Sequence, residues 1–335
     1  MFEATLKNRH QPELGALTVT FPIPEERYEN VISALKKLQI GDAVAKDCFI
    51  EDMAASRCPT LYRLIESSVN LDELDWLGKR LESFNQYGLL QYQAAADAWE
   101  LSSIADLIDL TFYAPRTTVI SDFSELDQIG RQHYRTVYGA GEAAALKEQE
   151  GVEVILNLLE DETGRITRFG VFYDNDLVFQ PVYDRKHLPG TVFTHDCMME
   201  VEIRPADQPS AAEPVARLQL PVSSCKMERE LLRAGMTAED EMSLRVSASR
   251  LPEQMIPAKK LRQESLSELN RLCHMCASLS EAELFKLERI CQRRKPECAA
   301  QVRQAAEQLS QLETLFDEPQ EHAQQAQEMQ MGGMS

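Results

Sequence analysis

The stretch that decides the fold is "SVNLDELDWLGKRLESF", residues 68–84. Its leucines recur every three or four residues, at positions 71, 74, 77 and 81, and this spacing predicts an α-helix with one buried face. Three acids, Asp72, Glu73 and Asp75, stand between the leucines and are expected to point away from the core. A second stretch, "SLSELNRLCHMCASL" (265–279), has leucines at 266, 269 and 272 in the same register, and Cys276 takes the place of Leu81. The leucine pattern therefore occurs twice, whereas Ser267 and Asn270 stand in place of Asp72 and Asp75, and only Glu73 has an acidic counterpart, Glu268.

The sequence before each leucine helix predicts the same elements, which indicates an internal repeat. "LTVTFPI" alternates like a strand, "EERYENVISALKKL" has helical spacing and "CFIEDMA" is again strand-like, so this part predicts a β-α-β unit. "VARLQLPVSSCKMERELLRAGM" and "SLRVSA" repeat the pattern later in the chain. Pro24 and Leu35 align with Pro221 and Leu232 at an offset of 197 residues, and the leucine helices align at an offset of 195.

The segment between the two repeats predicts strands instead. "VEVILNLL", "RITRFGVFY", "LVFQPVY" and "MMEVEIRP" are strand-like runs separated by turn signals. We therefore predict an elongated α+β protein in which two related β-α-β plus helical domains flank a small antiparallel β-rich middle domain. The predicted parts are 1–140 (first domain), 141–204 (middle domain), 205–214 (linker), 215–315 (degenerate second copy) and 316–335 (disordered tail).

The chain is acidic, and the excess is unevenly distributed. The 54 acids against 35 bases give a net charge of −19 and a pI near 4.8. Such a charge repels nucleic acid and membrane anions and favours a basic partner, although solubility alone also accounts for many acidic surfaces. Residues 1–140 and 141–220 carry −8 each, and residues 221–335 carry −3. Between Asp97 and Asp127, seven acids face one base, Arg116.

Two composition features indicate the compartment. No apolar run approaches the about 18 residues that a membrane-spanning helix needs. The eight cysteines are dispersed through a long chain, which is typical of reduced thiols rather than of a disulfide framework. We expect a cytoplasmic protein.

One cysteine cluster could bind a metal. The "CHMC" motif at 273–276, with Cys291 and Cys298 downstream, could supply four thiolates to zinc. The repeat, however, places Cys276 where Leu81 packs, and cysteine buries readily as a small hydrophobe. We favour core packing and predict neither a metal nor another cofactor.

Signals of catalysis are weaker still. His195, Asp196 and Cys197 are adjacent in the sequence, but adjacency does not make a catalytic triad, which is defined by geometry in space. Phosphate-binding loops and nucleophile elbows are absent from the sequence. The sequence therefore predicts a protein that is not an enzyme.

Three segments, in this order, resemble a known family: "NLDELDWLGKRLESF", "LSSIADLIDLTF" and "TTVISDFSELDQIGRQHY". They are similar to the ArdA-type antirestriction proteins of conjugative elements and to their long, duplicated relatives in gut Firmicutes. The resemblance covers residues 65–137 well and the preceding β-α-β unit more loosely, and residues 215–290 look like a degenerate second copy.

The resemblance implies a fold, a partner and a function. ArdA-type proteins are elongated acidic dimers that imitate bent B-form DNA and occupy the DNA-binding groove of type I restriction-modification complexes. It thus implies a non-enzymatic inhibitor carried by a mobile element. This chain is longer than the compact members, so either it forms a homodimer or its two copies replace one.

Two functional hypotheses follow. In the first, exposed acids imitate phosphates and bind the basic groove of a DNA-targeting defence enzyme, without contacting nucleic acid or membrane. The second is a protein-binding or scaffolding module of a conjugative element, in which the charge serves only solubility. The predicted phosphate mimics are Asp72, Glu73, Asp75, Asp97, Glu100, Asp106, Asp109, Asp122, Glu125 and Asp127.

Overall fold

The computed structural model describes residues 1–144, 146, 150–160, 163–190, 197–208, 213–238, 240–252, 255 and 264–309. The chain divides into two compact units. The first contains Met1–Thr191 and Ser223–Thr237, and the second contains Val192–Val222 and Ala238–Ser335. Both mix helices with small antiparallel sheets, which confirms the predicted α+β class.

The first unit begins with a four-stranded sheet. Its strands are β1 (Phe2–Lys7), β2 (Ala16–Phe21), β3 (Cys48–Ala54) and β4 (Ser68–Val69), in the antiparallel order β2-β1-β3-β4. Helix α1 (Glu25–Lys37) connects β2 to β3 and buries Tyr28, Ile32 and Leu35. The predicted β-α-β elements are present. The sequence prediction missed β1, which lies between β2 and β3 and pairs with both.

Three helices follow the sheet in the first unit. They are α2 (Leu71–Glu82), α3 (Gln86–Ala98) and α4 (Ile104–Tyr113). Asn70 caps α2, and Glu73 completes a capping box, because each side chain bonds a backbone N–H of the first turn. The four leucines of α2 are buried, as their spacing predicts. A 3-10 helix at Pro59–Leu64 precedes β4.

The middle of the chain differs from the prediction. "VEVILNLL" lies inside helix α7 (Glu150–Glu160), not in a strand. Ile155 is buried, and Leu158 and Leu159 pack with it, so the run has a helical face that a short apolar stretch does not distinguish from a strand. Helices α5 (Leu126–Tyr138) and α6 (Ala140–Ala144) precede α7. "LVFQPVY" is assigned to no strand.

The predicted middle β domain is also wrong as a unit, because its strands belong to two different sheets. Strands β6 (Arg165–Thr167) and β7 (Gly170–Tyr173) join β5 (Thr118–Ile120) in the first unit, in the order β5-β7-β6. Strand β8 (Met199–Pro205) instead pairs with β9 (Ala216–Leu220) and β10 (Met242–Ser249) in the second unit. The second copy thus starts at β8, not at residue 215. Part of the predicted linker (209–212) and the whole predicted tail (316–335) lie outside the described residues.

Within the described residues, the second unit continues with the helices α9 (Leu266–Ala277), α10 (Glu281–Arg294) and α11 (Ala299–Glu307). Helix α8 (Ser224–Arg233) follows β9 in the sequence but belongs to the first unit, where it packs against α1.

The two units repeat the same plan. In each, a first strand pairs with the second on one side and the third on the other, β1 with β2 and β3, and β8 with β9 and β10. Helices α2, α3 and α4 start 195 residues before α9, α10 and α11.

A hydrogen bond from the backbone to a side chain, found in both repeats, shows which residues of the two repeats correspond. Oδ1 of Asp75 accepts the N–H of Ile23 at 2.7 Å, and Oδ1 of Asn270 accepts the N–H of Val222 at 2.9 Å. Val222 follows Pro221 as Ile23 follows Pro22. The predicted pairing of Pro24 with Pro221 is therefore wrong: Pro22 is the counterpart, at an offset of 199.

Helices α5 and α7 cross at two glycines. A Cβ built on Gly130 would lie 1.8 Å from the carbonyl oxygen of Gly151, and one built on Gly151 would lie 2.4 Å from the carbonyl oxygen of Asp127. Both obstacles are backbone atoms, which no side-chain rotation removes. Only glycine at both positions allows this close approach.

We expect Gly130→Ala to destabilise the first unit by about 1–3 kcal/mol, because the methyl group forces the two helices apart. Urea unfolding followed by circular dichroism measures the change. Gly141→Ala in α6 is the matched control, since no heavy atom lies within 4 Å of its Cβ. Equal unfolding midpoints for the two variants would contradict the close crossing.

Candidate functional site: the acids of the first unit

Four of the ten predicted phosphate mimics are buried, and for them the prediction is wrong. The exposed fractions are 5% for Asp72, 1% for Glu73, 3% for Asp75 and 0% for Asp109. A carboxylate that imitates a phosphate must be reachable by the partner's cations. These four instead bind groups of their own chain.

Asp72 holds two arginines of helix α8. Its Oδ2 lies 2.9 Å from Nη2 of Arg229 and 3.4 Å from Nη2 of Arg233. Tyr28 of α1 donates its hydroxyl to Oδ1, and burial raises the pKa of that hydroxyl. Arg229 also donates to the carbonyl oxygens of Gly41 at 2.6 Å and Asp42 at 3.1 Å. The guanidinium is therefore surrounded by acceptors, and α8 is held to α2 by a buried charged network.

Asp75 is the second buried anchor of α8. Besides the N–H of Ile23, it contacts Nζ of Lys79 at 3.0 Å and Nζ of Lys226 at 3.4 Å. Burial acts to raise the pKa of Asp75, but the two lysines and the N–H of Ile23 outweigh it and lower the pKa. Asp75 therefore stays ionised in the folded protein at neutral pH.

Glu73 and Asp109 fix the loop of residues 177–190. The Tyr183 hydroxyl donates to Oε1 of Glu73 at 2.9 Å. Oδ1 of Asp109 accepts the backbone N–H groups of Val182 and Tyr183 at 2.7 and 2.6 Å. Nε1 of Trp76 donates to the carbonyl oxygen of Pro189 at 2.8 Å. These acids thus bind a loop whose buried residue is Tyr183. Trp76, in the middle of the acidic stretch, was the sequence signal that this side of α2 is also covered.

Three further predicted acids are half-buried in ion pairs. Asp97 lies 2.6 Å from Arg63, and Asp127 lies 2.8 Å from Arg131. Asp106 accepts the hydroxyl of Ser103 at its helix N-terminus. Their charge is partly neutralised within the chain.

Glu100, Asp122 and Glu125 are the predicted acids that remain exposed. Asp122 accepts the hydroxyl and the backbone N–H of Ser124, and these hydrogen bonds lower the pKa of its carboxyl group. Glu100 ends helix α3 with φ of 54°, in the left-handed region. The structure does not bring all ten acids together on one surface.

The structure adds acids that the sequence hypothesis missed. Glu142, Glu153 and Glu160 are exposed on α6 and α7, next in the chain to Asp122 and Glu125 at the start of α5. The described residues between 122 and 160, which we call the α5–α7 segment, thus include five exposed carboxylates: Asp122 and Glu125 just before α5, Glu142 on α6, and Glu153 and Glu160 on α7. The prediction of a strand at "VEVILNLL" missed the exposed acids of α7, because a strand and a helix direct different residues outward.

Exposed apolar side chains share the same helices. Phe123 is 62% exposed, Tyr138 60%, Leu156 49% and Val137 45%. The Tyr134 and Tyr138 rings lie 4.4 Å apart between centroids. The α5–α7 segment therefore has exposed apolar side chains as well as exposed acids.

The cysteines of the "CHMC" motif pack in the second unit. Cys273 and Cys276 are buried on α9, and burial raises the pKa of both thiols. Across the described ranges, three or more His, Cys, Asp or Glu side chains nowhere converge to hold a metal ion. His195 and Asp196 lie outside the described residues, and the buried thiol of Cys197 donates to the carbonyl oxygen of Met199 at 3.2 Å.

A helix that spans a membrane must be both long and apolar. In the part of the chain that the structure describes, every helix falls short of the necessary length and apolar composition.

Asp72→Asn is expected to destabilise the protein by about 3–5 kcal/mol, because it leaves two buried arginines without their anion. The free energy of unfolding in urea at pH 7 is the measurement. Glu125→Gln, which removes one negative charge from an exposed site, should change this value by less than about 0.5 kcal/mol. Comparable losses in the two variants would rule out the structural role of Asp72.

Glu230 on α8 predicts a pH dependence of stability. Burial and the charge of Asp72 raise the pKa of this half-buried carboxyl group to about 7, against the opposing effect of Arg233, Lys226 and Lys79. The folded state thus keeps a proton that the unfolded state, with an ordinary pKa near 4.5, releases. The stability that this proton provides is present below pH 4.5 and is lost as the pH rises through 7.

Glu230→Gln should therefore match the wild type at pH 4.5 and exceed its unfolding free energy by about 1–3 kcal/mol at pH 8. Urea titrations at the two pH values test this. A difference that does not depend on pH would refute the raised pKa of Glu230.

Neither a protein-family model, nor a curated protein, nor a solved structure matches the chain. The case for a function therefore comes from the residues and their geometry.

Proposed function

We propose that this protein is a non-enzymatic inhibitor that imitates DNA and occupies the basic DNA-binding groove of a host defence enzyme. The observation that carries the proposal is the group of exposed carboxylates in the α5–α7 segment. Its members are Asp122, Glu125, Glu142, Glu153 and Glu160. The resemblance to ArdA-type proteins supplies the target class, type I restriction-modification enzymes, and a mobile element as the source.

The spacing of these acids suits a groove that binds phosphates. Residues three apart on an α-helix are separated by about 4.5 Å along its axis, and phosphates follow each DNA strand at about 3.4 Å of axial rise. Glu150 and Glu153 are three residues apart on α7, whereas Asp122 caps and Glu125 ends a 3-10 helix before α5, to which this α-helical spacing does not apply. Rows of lysine and arginine that neutralise a duplex can thus meet carboxylates at comparable intervals.

The charge of the first unit supports the same proposal. Its two chain segments contain 33 acids and 21 bases, a net charge of −12. Several of its bases are used internally, as Arg229 and Lys226 are by Asp72 and Asp75. The buried acids contribute to fold rather than to recognition, so the proposed mimic surface moves from α2 and α4 to α5–α7.

The exposed apolar groups favour a second candidate, the protein-binding module. Aromatic side chains are frequent among the residues that dominate binding energy at protein interfaces. Phe123, just before α5, and Tyr138, the last residue of α5, are both exposed and suit such an interface. Binding by a DNA mimic would depend on its charges and weaken with salt, whereas binding by a module of this kind would depend on these aromatic rings.

Charge reversal at four exposed acids separates the candidates. We expect Glu125→Lys, Glu142→Lys, Glu153→Lys and Glu160→Lys, combined, to weaken inhibition of DNA cleavage by a type I enzyme at least about tenfold, since each lost charge pair contributes up to about 1 kcal/mol. Binding of the wild type should compete with duplex DNA and weaken steeply with salt.

The matched control reverses four exposed acids elsewhere in the first unit, Glu3, Glu13, Glu26 and Glu29. It changes the net charge equally and should retain inhibition. If both sets of charge reversals weaken inhibition equally, inhibition depends only on the net charge of the protein, and the assignment to the α5–α7 segment is wrong. If neither acts, but Phe123→Ser with Tyr138→Ser abolishes binding, the protein is the second candidate.

A further inference from the structure

One helix face is covered in the first repeat and exposed in the second. In the first, the chain that follows α4 covers the outer side of α3. Gln91 of α3 donates to the carbonyl oxygen of Thr117, and Ala94 is fully buried. Trp99, at the end of α3, lies 5.5 Å from Phe172 and 5.2 Å from Phe179 between ring centroids. This side of α3 is a packing face.

The counterpart face on α10 carries cations. At the offset of 195, Lys286 replaces Gln91, Arg289 replaces Ala94 and Arg294 replaces Trp99, and all three replacements are exposed. The residues that end the two helices in the left-handed region also correspond. They are Glu100 with φ of 54° and Lys295 with φ of 49°. The same backbone position thus changes from an acid to a base.

An exposed aromatic ring completes this surface, which we call the α10 face (Phe285, Lys286, Arg289, Arg293, Arg294 and Lys295). Phe285 is 56% exposed, and the guanidinium of Arg289 lies 4.9 Å from its ring centroid. The ring lies beside several cations, so the α10 face suits a segment that is both acidic and apolar.

The chain itself supplies such a segment. In the first repeat the covering residues are those that follow α4, and the equivalent residues of the second repeat are those that follow α11, from 310 onward. Nη1 of Arg294 donates to Oε1 of Gln308 at 3.2 Å, so the chain reaches the α10 face just before this segment begins. Residues 310–335 contain five acids and no base, with Leu312, Leu315 and Phe316 among the first acids.

We propose that residues 310–321 bind the α10 face of their own chain. Leu312, Leu315 and Phe316 supply the apolar contact with Phe285, and Glu313, Asp317 and Glu318 supply the charges that meet the arginines. Attachment to α11 gives the segment an effective concentration of about a millimolar, so weak contacts suffice for binding. The segment would take the place in the second repeat that Thr117, Phe172 and Phe179 hold in the first.

Hydrogen exchange in the full chain tests the proposal. The variant Leu312→Ser, Leu315→Ser, Phe316→Ser should exchange the backbone amides of residues 287–295 at least about threefold faster than the wild type, because the end of α10 loses its cover. The control Met329→Ser, Met331→Ser, Met334→Ser makes three equivalent changes later in the same segment and should leave these amides unchanged. Equal exchange in the wild type and the first variant overturns the proposal.

A charge exchange identifies the partner. Arg289→Glu with Arg293→Glu should also speed exchange at residues 287–295, and adding Glu313→Arg with Asp317→Arg should restore the wild-type rate. Failure of this rescue overturns the charged contact. Protection that increases with protein concentration would assign the α10 face to a second copy of the chain and would likewise overturn the proposal.

Discussion

The buried pairing of Asp72 with Arg229 is the interaction on which the first unit depends most. A carboxylate and a guanidinium removed from water stabilise a fold only when the remaining donors and acceptors find partners. Here Tyr28, Arg233 and the carbonyl oxygens of Gly41 and Asp42 provide them. The network joins α1, α2 and α8, so a helix that comes late in the sequence completes the core of the first unit.

This network explains how far the sequence could predict the acids. The spacing of the leucines identifies one buried face of α2, but it does not reveal what covers the other. The covering groups are remote: Arg229 is 157 residues from Asp72, and Tyr183 is 110 residues from Glu73. Local periodicity contains no information about such partners, so buried acids and exposed acids have the same appearance in the sequence.

The secondary structure was predictable wherever one periodicity dominated. Helices α1 and α2 and strands β2 and β3 appear where their patterns place them. The "VEVILNLL" run was assigned to the wrong class because a short apolar run fits both periods. For the same reason the sequence did not predict the exposed acids of α7. Long-range pairing also escaped prediction, since β8 looks like its sequence neighbours but belongs to the sheet of β9 and β10.

The repeat shows why acid content is a poor guide to surface charge. Asp75 and Asn270 occupy equivalent positions in the two repeats, and each accepts the equivalent backbone N–H, that of Ile23 or Val222. Near Asp75, Lys79 and Lys226 require an anion. Asn270 instead donates its amide to the carbonyl oxygen of Val222 at 2.7 Å, which an ionised carboxylate could not do. The acid present in the first repeat and absent from the second thus reflects the two lysines that lie beside it.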